Sequence, residues 1–365
     1  MTNRTLIGLA GALVVLAALA LFGQWERQPL ERGAALIVPG LQEQLDQVSR
    51  MELVGAGEEA IATLERGAAG WSVVERDGYP ADLQKIRHTL LSLAEARILE
   101  AKTANPDWHD RLGVEAIENE SAGGVAVTLI GPDAPVSVIV GDAVGDYQAY
   151  VRRADEDQSY LIDRDPEVSS ATTDWLEPGI LTIPGERIQR VTVTHLDGEV
   201  LTILKDDPGQ TNFAVEAIPA DRELQYDSVA NVMGNVLANL SLQDVEADTD
   251  DQEPVTVTEF RTFDGLLITA ESIEREDEAW VSFGVDYEPP AEVAGEELSE
   301  EEAGDEPPEE VEAAAAAPES GSDAEAEAGE LQRRLDGWRY RVATYQYDQM
   351  TRRMSELLRS LPDES

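Results

Sequence analysis

The stretch from Ala69 to Leu99 occurs twice, and that repetition constrains the chain more than any other feature. It reads as a strand, then Pro80-Ala81-Asp82, then an amphipathic helix, and it returns at Asn212 to Leu240. Phe213 stands in for Trp71, Val215-Glu216 for Val74-Glu75, and Pro219-Ala220-Asp221 for Pro80-Ala81-Asp82. Ile86, Leu90, Leu93 and Ala94 of the first helix answer to Val229, Met233, Val236 and Leu237 of the second. Such a repeat implies two units of one plan, each burying its own helix face. At 365 residues the chain is long enough for two cores. The fold class read from this is α+β: two duplicated β-meander plus helix units after one N-terminal transmembrane helix.

That first helix is read from Leu6 to Phe22, an unbroken run of Leu, Ala, Val, Ile, Gly and Phe. The run is at the short end of what spans a bilayer. Arg4 precedes it and Trp25 follows at interfacial depth, so residues 1–27 read as a signal anchor with its N-terminus in the cytoplasm. The alternative is a cleaved signal peptide with Ala18-Leu19-Ala20 as its small-residue site. Residues 28–47 then form a stalk, in which Leu36-Ile37-Val38-Pro39-Gly40 docks on the domain and Leu41 to Leu45 makes a helical turn.

The first unit spans 48–178. Its strands lie near Val48 to Leu53, Ile61 to Glu65 and Trp71 to Glu75, and its helix covers about 82–99 with Asp82 as N-cap. Val125 to Leu129 and Val136 to Val140 flank the turn residues Gly131-Pro132-Asp133-Ala134, and Tyr147 to Arg153 and Ser159 to Ile162 complete a meander closed by Trp175-Leu176. The second unit takes 179–288 and 331–365. It has strands near Ile188 to Val193, Val200 to Lys205, Val255 to Phe260, Leu266 to Ala270, Ala279 to Phe283 and Trp338 to Thr344. A helix at about 228–240 and a final helix from Tyr347 to Leu358 complete it.

Between the last two strands lies an acidic insertion, 289–330. Residues 291–330 hold sixteen Asp or Glu and no Lys or Arg, and such composition cannot bury enough apolar area to offset its ordering entropy, so disorder is expected. A short helix near Ala313 to Ala317 fits the alanine run. The insertion supplies −16 of a formal charge of −47, so the rest of the chain is acidic too. Only Lys85, Lys102 and Lys205 are lysines. This balance repels phosphate backbones and argues against nucleic acid as a partner. It fits solubility, a high-salt habitat or a cationic partner. The absence of cysteine excludes disulfides and thiolate chemistry.

Chemistry-bearing patterns are sparse. His88 lies in the first helix, His109 beside Trp108 in a loop, and His195 at a strand end; none is spaced as a ligand pair. Asp163, Asp165 and Glu167 alternate, and Asp248, Asp250, Asp251 and Glu253 cluster, yet neither group carries the glycine and terminal glutamate of a calcium loop. Trp71, Phe213, Trp280 and Trp338 read as core anchors rather than a sugar platform. No catalytic, cofactor-binding or metal-binding residue is therefore assigned, and the chain reads as a non-enzymatic binding or assembly part. The alternative is an envelope glycan- or ligand-binding protein or a hydrolase using paired carboxylates.

Trp71 in a strand, Pro80-Ala81-Asp82, a Leu-rich helix, Leu112-Gly113-Val114, Val138-Ile139-Val140-Gly141, Tyr150-Val151-Arg152 and Tyr160-Leu161-Ile162 follow one another in order. In that order and spacing the chain resembles the bacterial family called domain of unknown function 4340. The likeness covers roughly residues 45 to 285 plus the closing strand and helix; the acidic insertion and a Leu-Gly-Val in place of the commoner Gly-Leu depart from it. The resemblance implies one membrane segment in the bacterial inner membrane and a body in the periplasm or outside. It also implies an accessory role beside an ABC-2-type permease, its ATPase and a gliding-motility-type auxiliary protein. It carries no catalytic residues to transfer.

Overall fold

A computed structural model of the chain describes residues 35–249, 252–275, 278–290 and 320–361. The expected membrane helix at Leu6 to Phe22 and the alanine run at Ala313 to Ala317 lie outside these residues. Among the described residues, no helix is long and apolar enough to cross a membrane. The fold is mostly β-sheet with a few helices, an α+β arrangement, and it divides into two compact units between Glu177 and Pro178.

The first unit contains β1 (Arg50–Val54), β2 (Ala60–Gly67), β3 (Gly70–Val73), β4 (Tyr79–Pro80), helix α1 (Leu83–Glu95), β5 (Ile98–Ala101), β6 (Val125–Ile130), β7 (Val136–Val144), β8 (Gln148–Arg153) and β9 (Ser159–Ile162). They form one antiparallel sheet in the order β4-β3-β2-β1-β6-β7-β8-β9-β5. Met51 lies opposite Leu64 on one side and Leu129 on the other, and Leu53 opposite Ala62 and Val127. The period-2 alternation thus puts one apolar row on one face. α1 contributes Ile86, Leu90, Leu93 and Ala94 to the interior, and Asp82 caps it by accepting hydrogen bonds from Gln84 N and Lys85 N. On the opposite face Ala126, Ile139 and Tyr150 pack with Val114 and Ile117 of the loop before β6. Trp175 closes the unit fully buried, its indole N–H donating to Ser169 O. Strand β3 stops at Val73 rather than running to Glu75. There the chain turns, and the Glu75 carboxylate accepts from Thr63 N at 2.7 Å, which a continued strand would not permit.

The second unit contains β10 (Gly179–Leu181), β11 (Ile188–His195), β12 (Val200–Leu204), β13 (Ala214–Val215), β14 (Arg222–Leu224), α2 (Asn231–Gly234), β15 (Leu240–Ala247), β16 (Thr256–Thr262), β17 (Leu266–Arg275), β18 (Glu278–Tyr287), α3 (Ser320–Leu335), β19 (Trp338–Val342), α4 (Thr344–Met350), α5 (Met354–Leu357) and β20 (Leu358–Ser360). Its sheet is antiparallel in the order β10-β15-β19-β18-β17-β16-β11-β12-β13, and β14 pairs separately with β20.

Three expectations need correction here. The helix expected over 228–240 is α2 followed by a 3-10 turn at Val236–Asn239. Val229, Met233, Val236 and Leu237 are buried as their spacing requires. The helix breaks because Asn231 spends its side chain on Phe213 N and Asn212 Oδ1, and because Gly234 lies against the Phe213 ring, where a Cβ would sit 2.2 Å from Cε2. The final helix is likewise split into α4 and α5, since Arg353 and Met354 N turn aside to the carboxylates of Asp197 and Glu199. Lastly, residues 320–330, read as part of the disordered insertion, belong to α3. That helix buries Ala324, Ala328 and Leu335, and Arg187 clamps Glu327 with two hydrogen bonds while holding Asp264.

Candidate functional site

A cleft in each unit is bordered by one of the acidic clusters seen in the sequence. In the first unit a cleft of about 420 Å³ is lined by His88 and Ser92, by Asp146 and Tyr147 of the β7–β8 turn, and by Asp163, Arg164, Asp165 and Glu167 beyond β9. His88 and Ser92 are one helical turn apart on α1 and so share a face. Gly145, with φ of +66°, lets the β7–β8 turn reverse and leaves Tyr147 76% exposed.

His88, Ser92 and Glu167 have the composition of a nucleophile relay but not its geometry. His88 Nε2 lies 3.2 Å from the Asp165 carbonyl, 3.5 Å from Ser92 Oγ and 3.8 Å from Glu167 Oε2. A relay needs serine on one ring nitrogen and the carboxylate on the other. Here all three converge on Nε2, and the closest partner is a carbonyl, so this nitrogen carries the proton and donates it to Asp165 O. It is therefore not free to take a proton from Ser92.

The carboxylates are also committed. Asp163 Oδ1 accepts from Arg97 N at 2.7 Å, and Asp165 Oδ1 from Glu167 N at 2.9 Å. Glu95 pairs with Arg164 at 2.8 Å. These bonds shape the loop, including Glu167 at φ of +52°, instead of converging on one point. Among the described residues, no group of three or more His, Asp or Glu side chains is placed to hold a metal ion.

The second cleft, about 320 Å³, lies over one face of the other sheet and is lined by Asp248, Thr249, Gln252, Pro254, Glu271, Ile273, Ser282 and Arg339. Asp250 and Asp251 of that acidic cluster lie outside the described residues. Cross-strand register sets Glu246 opposite Arg339, Arg339 opposite Ser282, and Ser282 opposite Glu271. Arg339 is only 4% exposed and pairs with Asp248 and, at 3.9 Å, with Glu246. Beside it, Arg275 holds both oxygens of Glu246 at 2.8 Å and lies over the Trp280 ring, and Arg341 pairs with Glu278. Three guanidiniums thus pair with three acids here, Arg275 with Glu246, Arg339 with Asp248 and Arg341 with Glu278, with Glu271 as a further acid in the cleft.

The other histidines are structural. His109 is buried and its Nε2 meets the Asp157 carbonyl at 2.8 Å; His195 is buried between Thr256 Oγ1 and the Arg352 carbonyl. Phe213 and Trp280 are buried as anchors, whereas Trp71 and Trp338 are only half-buried. Sequence reasoning missed the two buried arginines. Arg152 on β8 donates to the carbonyls of Val114, Ala154 and Glu156, and burial pulls its pKa below the ordinary guanidinium value. Alternation of Arg339 and Arg341 against Tyr340 and Val342 places the former pair on the outer face, but nothing local shows that a loop covers one of them.

A family model described as Domain of unknown function (DUF4340) matches residues 71–259, over half of the chain. No curated protein and no solved structure matches it.

Proposed function

Because the chain belongs to the family described as domain of unknown function 4340, we propose that it is a non-enzymatic, membrane-anchored extracytoplasmic accessory protein of an ABC-type envelope transport system. The observation that carries this reading is the commitment of the cleft side chains. Asp163, Asp165 and His88 spend polar atoms on the chain's own backbone, and Arg339 pairs with Asp248 and Glu246, which builds rigid surfaces suited to assembly. Leu6 to Phe22 supplies the anchor in the inner membrane, and the two units face the periplasm or the outside. The proposed partners are an ABC-2-type permease, its ATPase and a gliding-motility-type auxiliary protein.

We further propose that the units are two copies of one plan. The order β3-β2-β1-β6-β7-β8-β9-β5 of the first sheet is matched by β13-β12-β11-β16-β17-β18-β19-β15 of the second. Leu36-Ile37-Val38-Pro39-Gly40 has its counterpart in Leu181-Thr182-Ile183-Pro184-Gly185. Arg66 N donates to Ser49 O as Lys205 N does to Gln189 O, and each side chain then reaches a carbonyl ahead of its unit's first long strand, Asp46 O or Gly185 O.

The test is mild detergent extraction of the tagged chain from native membranes, followed by identification of what is captured with it. Recovery of a permease and an ATPase supports the reading; a chain that stays in the soluble fraction with Leu6 to Phe22 removed overturns it. One observation favours a second reading, an envelope glycan- or ligand-binding protein: exposed Tyr147 stands beside Asp146 on the cleft rim. Saccharide-dependent quenching of tyrosine fluorescence, lost in Tyr147→Ala, would move the conclusion to that reading.

A further inference from the structure

A helix lies along the outer edge of the second half of β18. β18 pairs with β17 along its whole length, from Glu278 to Tyr287, but with β19 only from Trp280 to Ser282. Beyond that point no third strand joins the ladder among the described residues. In the first unit the corresponding hairpin closes at once: Arg152 lies opposite Ser159, and the chain turns back directly between them.

Val285 N donates at 2.7 Å to the side chain of Gln332 on α3. Since that N–H points away from β17, period-2 alternation puts the main-chain groups of Phe283 and Tyr287 on the same open edge, while those of Gly284 and Asp286 face β17. α3 packs along β18 chiefly through small side chains. It buries two alanines and Leu335, carries Gly329 in its interior, and is fixed by Arg187 to Glu327 and by Arg334 to Ile180 O. The Arg187–Glu327 pair is about one-third exposed on both sides, so salt reaches it.

We propose that α3 is a releasable strap that lifts from β18 as a unit, before the sheet unfolds, and bares the Phe283 to Tyr287 edge. A helix whose fully buried side chains are two alanines and one leucine, held by an electrostatic clamp, belongs to the low-stability end of a fold. The edge it covers is of the kind that proteins shield from strand addition. One amide reports the event cleanly: Val285 N–H is protected by α3, whereas the amides of Gly284 and Asp286 are protected by β17.

The experiment is hydrogen exchange on the full chain, read at single amides, at low salt and at about 1 M salt, where the screening length falls to about 3 Å. The expected result is that Val285 exchanges together with the α3 amides, ahead of Gly284 and Asp286, and that salt accelerates Val285 and α3 alone. Arg187→Gln should speed both by about tenfold, as loss of a bidentate charge-assisted contact implies. Glu327→Gln, a milder change, should act in the same direction. Gln332→Ala should expose Val285 and leave the α3 amides unchanged. Val285 exchanging at the pace of Gly284, or α3 opening only with the whole sheet, overturns the proposal.

Discussion

Arg152 and Arg339 show how single residues are used in this protein. Arg152 lies opposite Ser159, and Arg339 opposite Ser282, so each unit carries one buried arginine across from a serine, on the β8–β9 pair in the first and the β18–β19 pair in the second. The first donates to carbonyls, with Asp157 and Glu118 as its nearby charges, and the second pairs directly with carboxylates. Arg152→Met keeps much of the volume but leaves the Val114 and Glu156 carbonyls without donors. At about 1–3 kcal/mol for each unsatisfied group, a loss of about 2–6 kcal/mol is expected in denaturant unfolding. Tyr347 gives a pH signature. Burial, with Glu274 and Asp348 nearby, pushes its hydroxyl up to about 12. A folded-state value above the unfolded one means a stabilising contribution that is complete below about pH 10 and is lost as pH rises toward 12. Stability measured against pH should therefore fall through that window, and Tyr347→Phe should flatten the fall. Neither arginine's burial was legible from its neighbours in sequence, because what lies against each of them comes from a loop: 112–122 for Arg152, and Asp248, Thr249, Gln252 and Pro254 for Arg339.

Elements were legible where pattern and local chemistry agree. In α1 the stripe of Ile86, Leu90 and Leu93 coincides with a cap, and Asp82 makes both capping bonds. Asp82→Ala should cost about 0.5–2 kcal/mol, measurable as a lowered thermal midpoint, with Asp82→Asn recovering most of it. The matching stripe of Val229, Met233, Val236 and Leu237 marked burial correctly and continuity wrongly. Periodicity reports which side of a segment is dry; it does not report that Asn231 and Gly234 have tertiary partners in the loop at Phe213. The same holds for Arg353, whose distant partners Asp197 and Glu199 break the last helix. The clefts belong to this scale too. Their acidic borders could be seen in the sequence, but the direction of each carboxylate toward Arg97 N or Glu167 N could not.

For the whole molecule, the dominant quantity is a formal charge of −47. Self-repulsion of that size destabilises compact states, and salt screens it over about 10 Å at 0.1 M. The thermal midpoint should therefore rise as salt increases from low values to about 0.1 M and beyond; a flat response would mean that the carboxylates are already balanced locally, as around Arg339. The sheet orders have a further consequence, for the timing of synthesis. Met51 on the first strand finds its second neighbour, Leu129, only 78 residues downstream, and Val191 must likewise wait for Phe260. At about 5–20 residues per second on the ribosome, β1 spends about 4–16 s with one flank open. The chain thus emerges with its central strands made first and completed late, and the β1–β2 hairpin must stay soluble on its own until β6 arrives.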